Sequence, residues 1–167
     1  MNKIEIRTIP AHIVYTAEYD QNGIGDFFDP AEDKNLLYDL QYLMEDENHD
    51  VKVPDLGDDY NYFEYPLGDN EDGSKHIIYH DMVDKKGRDN ADGIYRFEEM
   101  PEVRAAVMEY MGYYDTLDKG FEILYKWIEE NGYIVAGKCR ISAINGSWDT
   151  ENPDEYVNEL QVPICKA

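Results

Sequence analysis

The sequence predicts an α+β domain, because a strand-like segment occurs twice and each copy leads into an amphipathic helix and further strands. Residues 6–19 read I-R-T-I-P-A-H-I-V-Y-T-A-E-Y, and residues 97–110 read F-E-E-M-P-E-V-R-A-A-V-M-E-Y. Pro10 falls on Pro101 at an offset of 91, and the Glu-Tyr pair that ends each copy keeps the same offset. The two copies therefore predict two half-units of related structure.

The repeat also predicts how these half-units are organised. Each reads strand, helix, strand, strand, and together they form a mainly antiparallel sheet with two helices packed on it. A length of 167 residues suits one domain. We expect a single ligand-binding domain over 1–167, with pseudo-symmetric half-units at about 1–90 and 91–167.

The first half-unit contains one helix among its strands. Apolar residues recur at three- and four-residue steps within 31–47 and form one face, made of Leu36, Leu37, Leu40, Leu43 and Met44. Asp29 before Pro30 is a plausible cap for this helix. The strands are expected at 4–9, 11–19, 60–65 and 76–83.

The second half-unit has the clearer helix. Asp115 begins a D-T-L-D sequence resembling a capping box, and Gly132 suits a left-handed C-terminal cap. Between them, one apolar face is formed by Leu117, Phe121, Leu124 and Ile128. The strands are expected at 94–99, 102–111, 133–144 and 156–165.

Composition restricts the partners of the chain. There are 37 Asp and Glu residues against 15 Lys and Arg, a net charge of −22, and no basic stripe that would neutralise phosphates. Direct nucleic-acid binding is therefore not expected. The negative charge is explained by solubility, by attraction of cationic ligands or by mimicry of a nucleic acid. No apolar run approaches 18 residues, so no membrane association is expected. Two cysteines without C-x-x-C spacing favour a reducing, cytoplasmic location.

Motifs for metal or cofactor chemistry are weak. His76 and His80 are four residues apart in a strand and would face one side, but no third ligand accompanies them. The sequence lacks a G-x-S-x-G segment, a phosphate-binding loop and a dinucleotide fingerprint. We therefore expect neither a metal nor a cofactor.

Landmarks along 96–164 resemble the GyrI-like, or SOUL-type, effector-binding domain. They are R-F-E-E-M-P at Arg96, G-Y-Y-D-T-L at Gly112, L-Y-K-W-I-E-E-N-G-Y at Leu124, A-G at Ala136, N-G-S-W at Asn145 and Y-V-N-E-L-Q-V-P-I at Tyr156. The opening strand is also similar, whereas 20–90 matches weakly. The resemblance implies a pocket between the half-units for small hydrophobic, often cationic aromatic molecules.

The family domain occurs alone or behind the DNA-binding modules of MerR- and AraC-type multidrug regulators. Because the family strand starts close to Met1, we expect a stand-alone ligand-binding protein, and an excised effector domain is the alternative. A protein partner is left open.

Five residues are candidates for the pocket. Glu159 lies among apolar neighbours in a strand, where a ligand cation would offset its desolvation and ring faces would add cation–π attraction. The alternative for Glu159 is an outward-facing carboxylate or a hydrogen bond to the backbone. Tyr114 and Trp148 match family positions that line the pocket, and the alternatives are core packing and a loop anchor. Tyr15 and Phe63 are the candidates from the first half-unit, and either is equally well explained as core.

One departure from the family pattern bears on catalysis. Many members read R-E-S-Y-I-D-G-I-W where this chain reads R-I-S-A-I-N-G-S-W, so Ile141 and Ala143 replace a glutamate and a tyrosine. That glutamate is associated with cation binding, and with catalysis in members that hydrolyse cyclopropane-bearing compounds. We therefore expect no catalytic residue, and a more apolar, roomier pocket that Ile141 and Ala143 help to line. The alternatives are a hydrolase of such electrophiles and an acidic protein that binds gyrase.

Overall fold

Strands and helices follow one another in the predicted α+β pattern. The computed structural model describes residues 3–29, 34–54, 61–66, 69–145 and 150–167. The elements are β1 (Ile4–Ile9), β2 (His12–Gln21), β3 (Phe28–Asp29), β4 (Lys34–Asn35), α1 (Leu36–Glu47), β5 (Asn61–Tyr65), β6 (Lys75–Val83), β7 (Arg96–Met100), β8 (Val103–Met111), α2 (Leu117–Glu130), β9 (Tyr133–Val135), β10 (Cys139–Asn145) and β11 (Val157–Lys166).

The chain divides into two compact units. The terminal unit consists of Met1–Pro10 with Glu102–Ala167, and the central unit consists of Ala11–Pro101. This division differs from half-units at 1–90 and 91–167, because β1 pairs with β8 of the terminal unit and β7 pairs with β2 of the central unit. Pro10 and Pro101 nevertheless hold equivalent places, since each separates two consecutive strands of different units.

The central unit is an antiparallel sheet in the order β5-β6-β2-β7. In the β2–β6 pair Tyr15 lies opposite Asp81, and Thr16 lies opposite His80. Directly opposed residues share a face of the sheet, so these two pairs point to opposite sides. The helix α1 buries Leu40 and Met44.

The terminal unit is an antiparallel sheet in the order β1-β8-β11-β10, and the short β9 pairs with the end of β11. The helix α2 buries five residues, namely Leu117, Gly120, Phe121, Leu124 and Ile128. A Cβ at Gly120 would lie 2.6 Å from Leu160 Cδ1 and 3.0 Å from the ring of Tyr110. We call the side of this sheet that bears Leu160 and Tyr110 the helix face, and the other side the second face.

Several local predictions need correction. The first helix begins at Leu36 rather than near 31, and Asp29 pairs with Lys34 in a short hairpin instead of capping the helix; Pro30 lies outside the described residues. The cap of α2 is Thr116, and its hydroxyl donates to the carbonyl of Tyr113 rather than to a helix N–H. The left-handed cap at Gly132, with φ of 79°, is confirmed.

The strand predicted at 133–144 is two strands. β9 pairs with Ile164–Lys166 and β10 with Val157–Gln161, so both lie along β11 with a break between them. The break falls beside Pro163, whose ring would lie 3.2 Å from a Cβ at Gly137. Proline has no N–H for the ladder, which interrupts regular pairing at this point.

Candidate ligand-binding site

Seven aromatic rings form a continuous chain within the central unit. We call this chain the aromatic cluster, and its rings in order of contact are Tyr19, Phe27, Phe63, Tyr79, Tyr15, Tyr95 and Phe97, with centroids 5.0–6.4 Å apart at each step. All of them except Tyr19 are buried. The structure therefore brings two predicted site residues, Tyr15 and Phe63, into one group through Tyr79.

A carboxylate is buried beside this cluster. Asp81 on β6 is 3% exposed, and its Oδ2 accepts a hydrogen bond of 2.7 Å from the hydroxyl of Tyr15. Because Asp81 lies opposite Tyr15 and two residues after Tyr79, it faces the same side of the sheet as both rings. The arrangement combines a negative charge with aromatic surface in a desolvated place, which is the chemistry that recognises organic cations.

Burial in the aromatic cluster changes the pKa values of its tyrosine hydroxyls. Burial raises the pKa of Tyr15 well above its ordinary range, and the charge of Asp81 raises it further. Burial also raises the pKa of Tyr95, whose hydroxyl donates to Glu47 Oε1 and accepts from Asn48 Nδ2, at 2.8 and 3.0 Å. Both partners lie at the C-terminal end of α1, so the hydroxyl of Tyr95 holds this helix end to the cluster.

The opposite face of the same strands carries a second polar group. His80 is 1% exposed, with Nδ1 2.7 Å from the hydroxyl of Thr16 and Nε2 2.8 Å from Glu64 Oε1. His76, the other histidine of the sequence pattern, is exposed near the start of β6, with Nε2 2.8 Å from Glu18 and Nδ1 3.1 Å from Asp20. Each histidine is thus engaged by its own neighbours.

The contacts of His76 predict its titration. Hydrogen bonds to Glu18 and then Asp20 raise the pKa of His76 above its ordinary value of 6.5. Because the pKa of His76 is raised in the folded state, protonated His76 stabilises the fold. This contribution to the free energy of unfolding is complete below pH 6.5 and is lost as the pH rises through the folded-state pKa. Glu18→Gln should lower the pKa of His76, as measured by NMR titration of its ring protons. Glu122→Gln on α2 makes the same charge change in the other unit, and an equal shift in both variants would contradict the assignment.

In the terminal unit, the predicted ligand residue Glu159 lies on the second face of the sheet. Its Oε1 accepts hydrogen bonds from Arg7 Nη1 at 2.8 Å and from Gln161 Nε2 at 2.7 Å. Arg7 also pairs with Glu5 at 2.8 Å, and these carboxylates raise the pKa of Arg7. The charge of Glu159 is therefore already shared with a guanidinium.

A groove of about 520 Å³ lies on this face. Its lining is Lys3, Glu5, Arg7, Val107, Met108, Glu109, Met111 and Val157. Glu109 lies directly opposite Glu159 across the β8–β11 pair, so two carboxylates project to the same side. Four of the eight lining residues are charged and four are apolar, in contrast to the aromatic cluster.

Three other predicted residues are placed in the terminal unit. Ile141 is 1% exposed and Ala143 is exposed. They lie opposite Leu160 and Asn158, so both project to the helix face, away from Glu159. Tyr114 lies in a turn before α2, with its ring 5.8 Å from Tyr156, and burial raises its pKa to about 12. Trp148 lies outside the described residues.

Sequence reasoning did not single out Asp81. The signal was present, because Asp81 is an acidic residue in the otherwise strand-like stretch H-I-I-Y-H-D-M-V. The same criterion selected Glu159, for which the family resemblance supplied additional weight. Unless the strand pairing is known, the local sequence does not distinguish the surroundings of Asp81 from those of Glu159.

The part of the chain that the structure describes has neither a metal-binding cluster nor a membrane-spanning helix. No three His, Cys, Asp or Glu side chains there stand close enough together to hold a metal ion. No helix there is long and apolar enough to cross a membrane.

Comparison with known families identifies the chain. The profile of the GyrI-like small molecule binding domain matches residues 3–164. The chain belongs to this family. No curated protein sequence matches it.

Solved structures share the GyrI-like fold. The crystal structure of the EcmrR C-terminal domain superposes with a TM-score of 0.82 at 21% identity, covering 100% of this chain and 99% of that one. EcmrR in complex with DNA gives 0.79 at 22% identity, over 99% of this chain and 58% of that chain, so this GyrI-like chain spans little more than half of the length of EcmrR.

Two further relatives are more distant. SAV2435 bound to tetraphenylphosphonium gives a TM-score of 0.53 at 16% identity, covering 98% of this chain and 94% of that one. A hydrolase from Listeria innocua gives 0.64 at 11% identity, covering 98% and 92%. At these identities the likeness establishes the fold.

Proposed function

We propose that this GyrI-like chain binds a small, apolar, cationic aromatic molecule, and that the aromatic cluster of the central unit with Asp81 supplies the site. The observation that carries the proposal is the Asp81 carboxylate, 3% exposed and hydrogen-bonded to Tyr15 within a chain of aromatic rings. A buried carboxylate carries a desolvation cost that a bound cation offsets. Each ring face adds roughly 0.5–2 kcal/mol of cation–π attraction.

Asp81 is a better counter-charge than Glu159 in this proposal. Glu159 is paired with Arg7 at 2.8 Å. A ligand cation would therefore have to compete with the guanidinium of Arg7 for this carboxylate. Glu159 remains a predicted ligand residue, but its charge is shared. Tyr114, Ile141 and Ala143 belong to the terminal unit.

Ligand access requires a movement, because the rings of the cluster are packed against one another. We propose that the helix α1, whose C-terminal end is held to the cluster by the hydroxyl of Tyr95, moves to admit the ligand. It buries two residues, Leu40 and Met44, whereas α2 buries five. Fewer buried apolar side chains mean less hydrophobic stabilisation to overcome.

The proposed activity is binding without catalysis. Ile141 stands where hydrolytic relatives carry a glutamate, and it is 1% exposed. A general acid or base at this position would therefore be missing. Ligand binding of this kind suits the effector domain of a transcription regulator, as the likeness to EcmrR suggests, and equally a separate drug-binding protein. The net charge of −22 speaks against direct DNA contact by this chain.

Thermal unfolding with matched organic ions tests the proposal. Tetraphenylphosphonium should raise the Tm in a concentration-dependent manner, since a ligand at about 100 times its Kd adds about 2.7 kcal/mol of stability. Tetraphenylborate has the same shape with the opposite charge, and tetramethylammonium has the charge without the rings. Equal shifts with all three ions, or none with tetraphenylphosphonium, would refute the proposed site.

A further inference from the structure

Two neighbouring strands of the terminal unit separate at one end of their sheet. The pairing of β8 with β11 ends where Ala105 lies opposite Pro163. Beyond this pair, β8 extends back to Val103 beside β1, and β11 runs on to Lys166 beside β9. Each strand end thus keeps its outer partner, while the two ends are no longer paired with each other.

A groove of about 360 Å³ lies at this fork, a size typical of small-molecule sites. Its apolar surface comes from Val103, Tyr133, Pro163 and Ile164. The ring of Tyr133 is stacked on Trp127, with centroids 6.3 Å apart and 8° between the planes, which holds the tyrosine in place. The groove can therefore cover the apolar body of a small, flat molecule.

The charged side chains of the groove have a positive balance. They are Arg104 and Lys166, against the single carboxylate of Glu102. Among the described residues neither cation forms an ion pair, whereas Arg7 and Arg96 each pair with glutamates. In a chain with a net charge of −22, this groove is a local exception that favours an anion. The planar guanidinium of an arginine can bind both oxygens of a carboxylate.

We propose that the groove at the β8–β11 fork binds a small aromatic carboxylate. The ring system of the ligand packs against Tyr133 and the apolar residues, and its carboxylate pairs with Arg104 and Lys166. Solvent weakens ion pairs of exposed side chains, so the apolar contact contributes much of the affinity. The site differs from the one at Asp81 in its unit, its elements and the charge of its ligand.

Protection of a cysteine measures occupancy of this groove directly. Cys165 lines the groove and is exposed, whereas Cys139 is buried, so the neutral reagent iodoacetamide should alkylate Cys165. Naphthalene-2-carboxylate should slow this alkylation in a saturable manner, as followed by peptide mass spectrometry. Naphthalene-2-carboxamide has the same rings without the charge, and equal protection should require a concentration about 3- to 10-fold higher.

Two matched variants assign the charge to the groove. Arg104→Gln should raise the half-protecting concentration of naphthalene-2-carboxylate by about 3- to 10-fold. Lys119→Gln makes the same charge change at an exposed position of α2 outside the groove, and it should leave this concentration unchanged.

Three results would overturn the proposal: no protection of Cys165 by naphthalene-2-carboxylate, equal protection by the carboxamide, or equal effects of the two variants. Tetraphenylphosphonium should not protect Cys165, and protection by this cation would likewise show that the groove does not select an anion. Binding of tetraphenylphosphonium at Asp81 is measured separately by the Tm, so failure of one site is distinguishable from failure of the other.

Discussion

Asp81→Asn should lower the affinity for tetraphenylphosphonium by about 10- to 100-fold, because it removes the buried counter-charge from the aromatic cluster. The substitution is conservative in shape. Its amide oxygen can still accept the hydrogen bond that the hydroxyl of Tyr15 donates at 2.7 Å. Isothermal titration calorimetry at low and high salt measures the loss and separates it from the general attraction of an acidic protein for cations.

The matched control for this result is Glu159→Gln. It makes the same chemical change in the other unit, at a carboxylate already paired with Arg7. We expect less than about a threefold change, because Arg7 rather than the ligand is its partner. A large loss of tetraphenylphosphonium affinity in Glu159→Gln, with none in Asp81→Asn, would show that Glu159 and not Asp81 binds the cation.

The second large effect concerns stability. Leu124→Ala should lower the free energy of unfolding by about 2–5 kcal/mol, since it leaves a cavity at a fully buried position of α2. Urea denaturation followed by circular dichroism measures this change.

Ile123 is the control for that experiment, because it is the neighbouring residue on the same helix and is 43% exposed. Ile123→Ala should cost less than about 1 kcal/mol. Similar losses in both variants would show that the face assigned to α2 is incorrect.

Local patterns predicted much of the fold. The four apolar positions from Leu117 to Ile128 fixed the buried face of α2, and all four are buried. The repeat around Pro10 and Pro101 predicted two equivalent strand–turn–strand segments, which are present. These predictions hold because helical periodicity and proline's restricted backbone act within a few residues.

Predictions that depended on distant partners were weaker. The exchange of β1 and β7 between units was not anticipated, since strand pairing is decided by long-range contacts. The break between β9 and β10 depended on Pro163, a residue of the neighbouring strand. A periodic pattern in one segment contains no information about the strand that will lie beside it.

By itself, the sequence determined the α+β class, the GyrI-like family and the expectation of a pocket for small molecules. Only the tertiary structure separated the candidate residues. Tyr15 and Phe63 lie in one aromatic cluster with Asp81, whereas Glu159 faces away from Ile141 and Ala143 on the opposite side of its sheet. Asp81 and Glu159 are both acids in apolar strands, yet one is buried beside aromatic rings and the other pairs with Arg7. The physical reason is that side chains alternate across a strand, so register and neighbouring strands decide the surroundings of each carboxylate.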